Sequence, residues 1–189
     1  MTDRNAANTR SRILEIAGEL FRTKGYAGTS IADITGRLGT SKAALYYHFP
    51  SKEHILDAIL GDSLAAHARI AELADGNATA EELLGALVDL VAGAGTVLAV
   101  FGNDPSVVAA LSQRESDYRL RDKDSRIVAA LAGPRPTTAA RIRAQAAIAV
   151  AKDGTRMILA GRDRGLRKAE RAELLAAALR AHHGQGGTR

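Results

Sequence analysis

The first fifty residues show apolar positions at spacings of three and four, the pattern of an amphipathic helix. In the first stretch these positions are Ile13, Leu14, Ala17, Leu20 and Phe21. The pattern begins at Arg10, and Gly25 interrupts it. Residues 1–9 are polar, so we expect a disordered arm there, with Asn8 or Thr9 capping the first helix.

Two shorter helices are predicted next, and a tight turn separates them. The second helix has apolar residues at Ile31, Ile34 and Leu38 and ends at Gly39, because glycine readily adopts the positive φ that stops a helix. The third helix runs from about Ser41 to Phe49, and its first residues are small or polar. A helix, a turn that contains glycine and a second short helix therefore follow one another.

Six further helices are predicted over the rest of the chain. Their boundaries are indicated by the capping box Thr79–Glu82, by Pro105 in a first turn after Asp104, and by the break at 133–136. Alanine and leucine abound, and no segment alternates in the way a strand does. The sequence predicts an all-α fold of about nine helices.

Composition narrows the class of protein. The chain of 189 residues contains no cysteine, which excludes disulfides, thiolate metal sites and cysteine nucleophiles. Residues 1–12 lack the apolar run of a signal peptide, and no stretch approaches the ~18 uninterrupted apolar residues of a membrane span. We therefore expect a cytoplasmic protein without a membrane partner.

Positive charge is concentrated at the start of the chain. Residues 1–52 hold eight Lys and Arg against four Asp and Glu, whereas residues 53–189 hold eighteen against seventeen. A basic end on a nearly neutral body indicates an anionic partner, and charge alone leaves nucleic acid and an anionic membrane open.

The two short helices favour nucleic acid. A helix that enters the major groove of DNA needs small or polar residues in its first turn, since bulky apolar side chains there would hold it away from the base edges. The residues that meet this condition are Thr40, Ser41, Lys42, Ala43 and Ala44. Lys42 can donate to guanine or to a phosphate.

A specific resemblance strengthens this interpretation. The run SKAALYYHFPSKE at 41–53, with Gly25-Tyr26 and Thr29-Ser30 before it, resembles the DNA-binding region of TetR-family transcriptional regulators. The resemblance covers about residues 10–56. It implies a three-helix, helix-turn-helix DNA-binding domain at the N-terminus and a helical domain behind it that binds a small ligand and forms a dimer.

The resemblance also implies roles for individual residues. It implies contacts to the DNA backbone from Thr29, Tyr46, His48 and Lys52. It implies base-facing positions at Thr40, Ser41, Lys42, Ala43 and Tyr47. The expected organisation is an arm 1–9, a DNA-binding domain 10–52, a regulatory and dimerisation domain 53–183 and a flexible tail 184–189.

Residues 53–183, the body of the chain, offer fewer indications of function. Helix eight is rich in alanine, and with helix nine the resemblance implies a four-helix bundle across a two-fold axis. Phe101 and Tyr118 are the only aromatic residues of the body, so we expect them in the wall of an effector pocket, although a plain core or surface position is an equal alternative. Scarce aromatic residues favour a small or aliphatic effector.

The sequence therefore predicts a homodimeric regulator that binds double-stranded operator DNA, acts as a repressor and leaves a palindromic operator when a small molecule binds. No cofactor, metal or catalytic residue is expected, because His54 and His67 lie on different faces of one helix and no nucleophile-elbow or phosphate-loop motif occurs. Two alternatives remain: a non-specific DNA-binding protein without an effector, and a small helical enzyme or ligand carrier.

Overall fold

The computed structural model describes residues 2–93, 104–113, 119–160, 162 and 164–184, with side chains from Ala6 onward. Over these residues the fold is all-α, as predicted, and nine helices follow one another. Their bounds are α1 Thr2–Lys24, α2 Ile31–Leu38, α3 Lys42–His48, α4 Lys52–Asp75, α5 Ala80–Gly93, α6 Pro105–Gln113, α7 Leu120–Ala132, α8 Thr138–Ala149 and α9 Lys168–His183. Helix α8 continues without a break through a π-helical turn, Val150–Gly154, and an α-helical turn, Thr155–Leu159.

The first helix is longer than the sequence pattern predicted. It begins at Thr2, where we expected a disordered arm over 1–9 and a cap at Asn8 or Thr9. Residues 2–9 include neither proline nor glycine, so nothing in them interrupts the helix. The Ser11 hydroxyl donates to the carbonyl oxygen of Ala7 at 3.1 Å, one turn back along the same helix.

Two compact units divide the described chain. The first contains residues up to Asp62 together with 104–113, and the second contains 63–93 and the described residues from 119 onward. The first unit encloses a core to which α1, α2, α3 and the start of α4 contribute. Its most deeply buried side chains are Ile13, Phe21, Ile34, Leu45, Ile55 and Leu56. Helix α6 belongs to this unit through Val107, which is also buried.

The second unit is built around α5, whose Leu83, Leu84, Leu87 and Val88 are almost completely buried. Alanines on α8 and α9 let those helices approach closely. The fully buried members of this set are Ala144, Ala147, Ala151 and Ala178. An ion pair also joins α9 to α5, because Arg171 Nε lies 2.6 Å from Asp89 Oδ1.

None of the helices in the described part of the chain combines the length and the apolar character required to cross a lipid bilayer.

Candidate nucleic-acid interface

Helices α2 and α3 are joined by the tight turn that the glycine predicted. Gly39 adopts φ +70°, and its N–H donates to the carbonyl oxygen of Thr35, which closes α2. Ser41 then caps α3, because its hydroxyl oxygen accepts the N–H of Ala44 at 3.1 Å. Two local caps thus fix the direction in which α3 leaves α2.

The start of α2 is fixed in the same way. Ser30 and Asp33 form a capping box, in which the Ser30 hydroxyl oxygen accepts the Asp33 N–H and the Asp33 carboxylate accepts the Ser30 N–H. Lys24 lies 2.7 Å from the same carboxylate. The hydrogen bonds from Lys24 and Ser30 hold the pKa of Asp33 well below its ordinary range.

Helix α3 buries one side chain and leaves most of the others exposed to solvent. Leu45 is fully buried, whereas Lys42, Ala43 and Ala44 are exposed. Tyr47 is 83% exposed and Tyr46 is 47% exposed, which is unusual for large apolar rings. The structure shows no acidic partner of Lys42 among the described residues, so its ammonium group remains available to an anion.

The remaining predicted contacts on and before α3 differ in exposure. His48 is half-buried, and its ring meets that of Tyr47 edge to face with 5.2 Å between centroids. Thr40 is half-buried in the turn. Ser41 is exposed, although its oxygen already serves as the cap of α3. The structure brings the predicted base-facing residues Thr40, Ser41, Lys42, Ala43 and Tyr47 together on one short segment.

Thr29, a predicted contact to the DNA backbone, is buried in the first unit. Its side chain is 1% exposed, and its hydroxyl donates to the carbonyl oxygen of Gly25 at 2.9 Å. The residue follows the turn between α1 and α2, and a threonine hydroxyl can form such a local hydrogen bond to a backbone carbonyl. The Thr29 hydroxyl is therefore engaged within this turn, and its contact with the DNA backbone stays a prediction.

Lys52 is also engaged within the first unit. Its Nζ donates to the carbonyl oxygens of Tyr26 at 2.9 Å and of Thr29 at 3.0 Å, and it lies 4.2 Å from the centre of the Tyr26 ring. The ammonium group thus joins the first residue of α4 to the α1–α2 turn. The sequence predicts that Lys52 contacts the DNA backbone, and in the structure its ammonium group is bound to two carbonyl oxygens of the first unit.

Tyr26 is the centre of these contacts, and sequence reasoning missed it. Its hydroxyl donates to Glu53 Oε1 at 3.2 Å, and its N–H donates to Asp104 Oδ2 at 3.0 Å. Its ring packs edge to face on Phe21, with 5.1 Å between centroids. The only signal in the sequence was the Gly25-Tyr26 pair of the resemblance, which did not indicate what Tyr26 contacts.

Asp104 fastens α6 to the same turn. One oxygen accepts the Tyr26 N–H, and the other accepts both the N–H and the hydroxyl of Ser106, at 2.8 and 2.6 Å. The Ser106 hydroxyl oxygen in turn accepts the N–H of Ala27 at 3.2 Å. The hydrogen bonds from Ser106 and from Tyr26 lower the pKa of Asp104 below its ordinary value.

The engagement of Lys52 leads to a first prediction. Lys52→Met should lower the free energy of unfolding by about 2 kcal/mol, because two carbonyl oxygens lose a charged donor. Thermal denaturation followed by circular dichroism measures this effect. Lys42→Met is the matched control and should leave the melting temperature unchanged. Equal melting temperatures for both variants would contradict the positioning role of Lys52.

The link between α6 and the turn leads to a second prediction. Asp104→Ala should lower the melting temperature at neutral pH by several degrees, because the Tyr26 N–H and the N–H and hydroxyl of Ser106 lose a charged acceptor. A lowered pKa means that this contribution is complete above the ordinary carboxyl value of 3.8 and disappears as the pH falls further. The difference between parent and variant should therefore shrink below pH 3.8. A difference that persists unchanged at low pH would exclude the ionised carboxylate as its source.

The two predicted pocket residues, Phe101 and Tyr118, lie outside the described residues. Among the described residues, no group of three or more histidine, aspartate or glutamate side chains lies close enough together to hold a metal ion.

Comparison with known proteins agrees with this geometry. Residues 13–59 match the family model described as bacterial regulatory proteins, tetR family. The HTH-type transcriptional regulator TtgR of Pseudomonas putida is 32% identical over 74 residues, 39% of this chain and 35% of that protein. The HTH-type transcriptional repressor KstR2 of Rhodococcus jostii is 29% identical over 121 residues, 58% of this chain and 59% of that protein. The matched parts thus span between about a third and three fifths of these relatives.

Similarity of fold extends further than similarity of sequence. A solved transcriptional regulator from Aquifex aeolicus VF5 superposes with a TM-score of 0.59 at 27% identity, covering 90% of this chain and 95% of that one. The match therefore includes the helices that follow the matched N-terminal segment.

Proposed function

We propose that the chain is a member of the TetR family of bacterial regulatory proteins and a DNA-binding transcriptional regulator that acts as a repressor. The observation that supports the proposal most is the surface of α3. A helix that buries only Leu45, starts at a serine cap and exposes Lys42, Ala43 and Tyr47 has the shape and chemistry of a major-groove reader.

Within the proposal, the exposed residues divide between two tasks. Lys42, Ala43 and Tyr47 face the base edges, where a lysine donates to guanine and a methyl group contacts thymine. Tyr46 and His48 contact phosphates at the edge of the groove and fix the register of α3. Lys52 and Thr29 hold the α1–α2 turn that supports α2, and thus act as positioning residues.

The regulator acts as a homodimer. One face of α8 is exposed although it carries Ile142, Ala146, Ala149 and Met157, and Ile142 and Met157 are 63% and 77% exposed. Apolar side chains in such a row favour a protein partner over water. Pairing α8 and α9 with their copies in a second chain would cover this face and place two DNA-binding units on one operator.

Two related half-sites follow from two-fold symmetry. Each unit meets the same short sequence, so the operator is palindromic or nearly so. A small-molecule effector then releases the dimer, because it binds more tightly to the conformer whose DNA-binding units are wrongly spaced for the operator. The effector weakens DNA binding by the same factor by which DNA weakens effector binding. A coupling of about 1–3 kcal/mol corresponds to about 5–150-fold. Because the operator DNA lies in the cytoplasm, the regulator acts there.

The Rhodococcus relative is a repressor by name, and that name supports repression here. Both relatives are transcriptional regulators, which argues against an enzyme or ligand carrier that uses the fold without DNA. A non-specific DNA-binding protein is the second candidate, favoured only by the excess of cations in residues 1–52.

Footprinting on the DNA that flanks its own gene tests the proposal. The full chain should protect a segment with two similar half-sites in inverted orientation, about one helical turn or a multiple of it apart. Uniform partial protection of the whole fragment would favour the non-specific candidate.

A further inference from the structure

Arg10 lies where the apolar face of α1 would continue toward the start of the helix. The buried residues of that face are Ile13, Ala17, Leu20 and Phe21. Successive residues of an α-helix are about 100° apart, so Arg10 has nearly the same direction as Ala17, to within about 20°. It also lies three residues before Ile13. A cation therefore takes a position at which the pattern of α1 predicts an apolar side chain.

The Arg10 side chain covers an aromatic ring of the core. Its Cζ lies 4.7 Å from the centre of the Phe49 ring. Phe49 is only 2% exposed, whereas Arg10 is exposed. An arginine in such a position contacts the ring with its guanidinium group and keeps its charge in water. Arg10 thus joins α1 to the residue that ends α3.

The Phe49 ring gives the guanidinium group a fixed place beside α3. Phe49 is the C-cap of α3, and its N–H donates to the carbonyl oxygen of Leu45 at 3.0 Å. Leu45 and Ile13 are both completely buried in the core of the first unit. Because α1 and α3 are anchored in the same core, the charge of Arg10 keeps its position relative to the surface of α3.

This position is at the same end of α3 as the two proposed phosphate contacts. Phe49 directly follows His48, and Tyr46 lies three positions before Phe49. When α3 lies in the major groove, the phosphates of the DNA backbone border the groove. A cation beside the C-terminal end of α3 is therefore near the phosphates that Tyr46 and His48 contact.

The hydrogen-bond donors of Arg10 suit such a contact. A guanidinium group has five N–H donors, and contact with one aromatic ring leaves several of them available. Among the side chains that the structure describes, no carboxylate forms an ion pair with Arg10. Guanidinium groups bind phosphate through two parallel hydrogen bonds, which fix geometry as well as charge. Arg10 is thus held in place on one side and able to donate on the other.

We propose that Arg10 is a further contact to the DNA backbone, in which its guanidinium group binds a phosphate beside the C-terminal end of α3 while Phe49 holds it in place. The inference rests on the proposed function, since it requires α3 in the groove of DNA. It adds a residue of α1 to the interface, and the resemblance in sequence assigns that residue no role. The alternative is an Arg10 that only covers the Phe49 ring.

The dependence of DNA affinity on salt separates these two roles. Each phosphate contact of a cation releases counterions, so its loss makes the plot of log affinity against log salt shallower by about 0.9. Arg10→Met removes the charge but keeps a long apolar stem over Phe49. In a dimer, which loses two contacts, the slope should become shallower by about 2. Affinity at physiological salt should fall about tenfold or more, for operator and random DNA alike.

Arg12 provides a matched control on the same helix. It is exposed, and two positions along α1 turn its side chain by about 200° from that of Arg10. Arg12→Met removes the same charge and should leave both the slope and the affinity unchanged. Equal changes of slope in the two variants would overturn the assignment, because net charge would then explain them without a contact.

Two further variants at position 10 complete the test. Arg10→Lys keeps the charge and should restore the parental slope, with affinity a few fold below the parent because an ammonium group lacks the planar pair of donors. Arg10→Gln is a second neutral variant, used if circular dichroism shows that Arg10→Met is unfolded. A folded neutral variant with weaker DNA binding but the parental slope would overturn the contact, since Arg10 would then only support α3.

The parent chain separates this inference from the proposed function. Fluorescence anisotropy over a series of salt concentrations compares DNA that the chain selects from a random pool with random DNA of equal length. A parent that binds both equally would overturn the sequence-specific regulator, and a shallower slope of Arg10→Met on random DNA would still support the phosphate contact. A parent that prefers the selected DNA, with the parental slope retained by Arg10→Met, would overturn the contact and leave the regulator proposal intact.

Discussion

Replacing Ile142 and Met157 together with arginine is expected to convert a DNA-binding dimer into a monomer. Both side chains lie on the exposed apolar face of α8, and four guanidinium groups would meet in a dimer that pairs this face with its copy. Sedimentation equilibrium should show the mass of two chains falling to that of one, 19.9 kDa.

Loss of the dimer should also lower the affinity for operator DNA. A second DNA-binding unit held on the same body raises operator affinity by about 10²–10⁴-fold over a single unit, and the monomer loses this gain. Leu73→Arg is the matched control, since Leu73 is an exposed apolar residue of α4 outside α8 and α9. If the double variant remains a dimer with full operator affinity, the α8 face is not the interface.

Tyr47→Ala should weaken operator binding about thirtyfold or more without changing the melting temperature. The ring is 83% exposed, so the fold gains little from it. A contact to a base edge contributes about 1–3 kcal/mol, and a dimer makes the contact twice. Fluorescence anisotropy with operator DNA measures the loss. Val108→Ala, which shortens an exposed apolar residue of α6, should leave affinity unchanged.

Lys42→Ala separates base contact from phosphate contact on the same surface. If Lys42 donates to a base, its loss should weaken operator binding far more than binding to random DNA. If it pairs with a phosphate, both affinities should fall together, and the dependence of affinity on salt should become shallower. A variant with parental affinity for both DNAs would remove Lys42 from the interface.

The sequence predicted the parts of the structure that depend on neighbours in the chain. The end of α2 at Gly39 is such a local feature, and the structure confirms it. The buried Leu45 beside the exposed Tyr46 and Tyr47 follows from helical periodicity. For these reasons the sequence alone was enough to predict the nine helices seen in the described residues and the exposed surface of α3.

Contacts between distant residues could not be predicted in this way. Tyr26 meets Asp104 across 78 positions, and Lys52 turns inward to the carbonyl oxygens of Tyr26 and Thr29. A surface lysine and a capping threonine have the same sequence pattern whether they face solvent or the α1–α2 turn. Only packing decides between these positions, and here it buries Thr29 and directs the Lys52 ammonium group to the α1–α2 turn.

The π-turn of α8 shows the same limit. Its sequence, VAKDG, is compatible with an ordinary helical turn, and an alanine-rich helix indicated only close packing. The division of α8 into a buried face and an exposed face depends on the helices that pack around it. The sequence predicted an effector pocket only through Phe101 and Tyr118, which lie outside the described residues.

The ratio of two affinities tests the central claim, sequence-specific DNA binding, most directly. DNA that the full chain selects from a random pool is compared with random DNA of equal length, at one physiological salt concentration. A sequence-specific regulator should prefer the selected DNA by about 10³-fold or more, and that DNA should contain an inverted repeat. Equal affinity for both DNAs, with no shared sequence among the selected molecules, would contradict the claim.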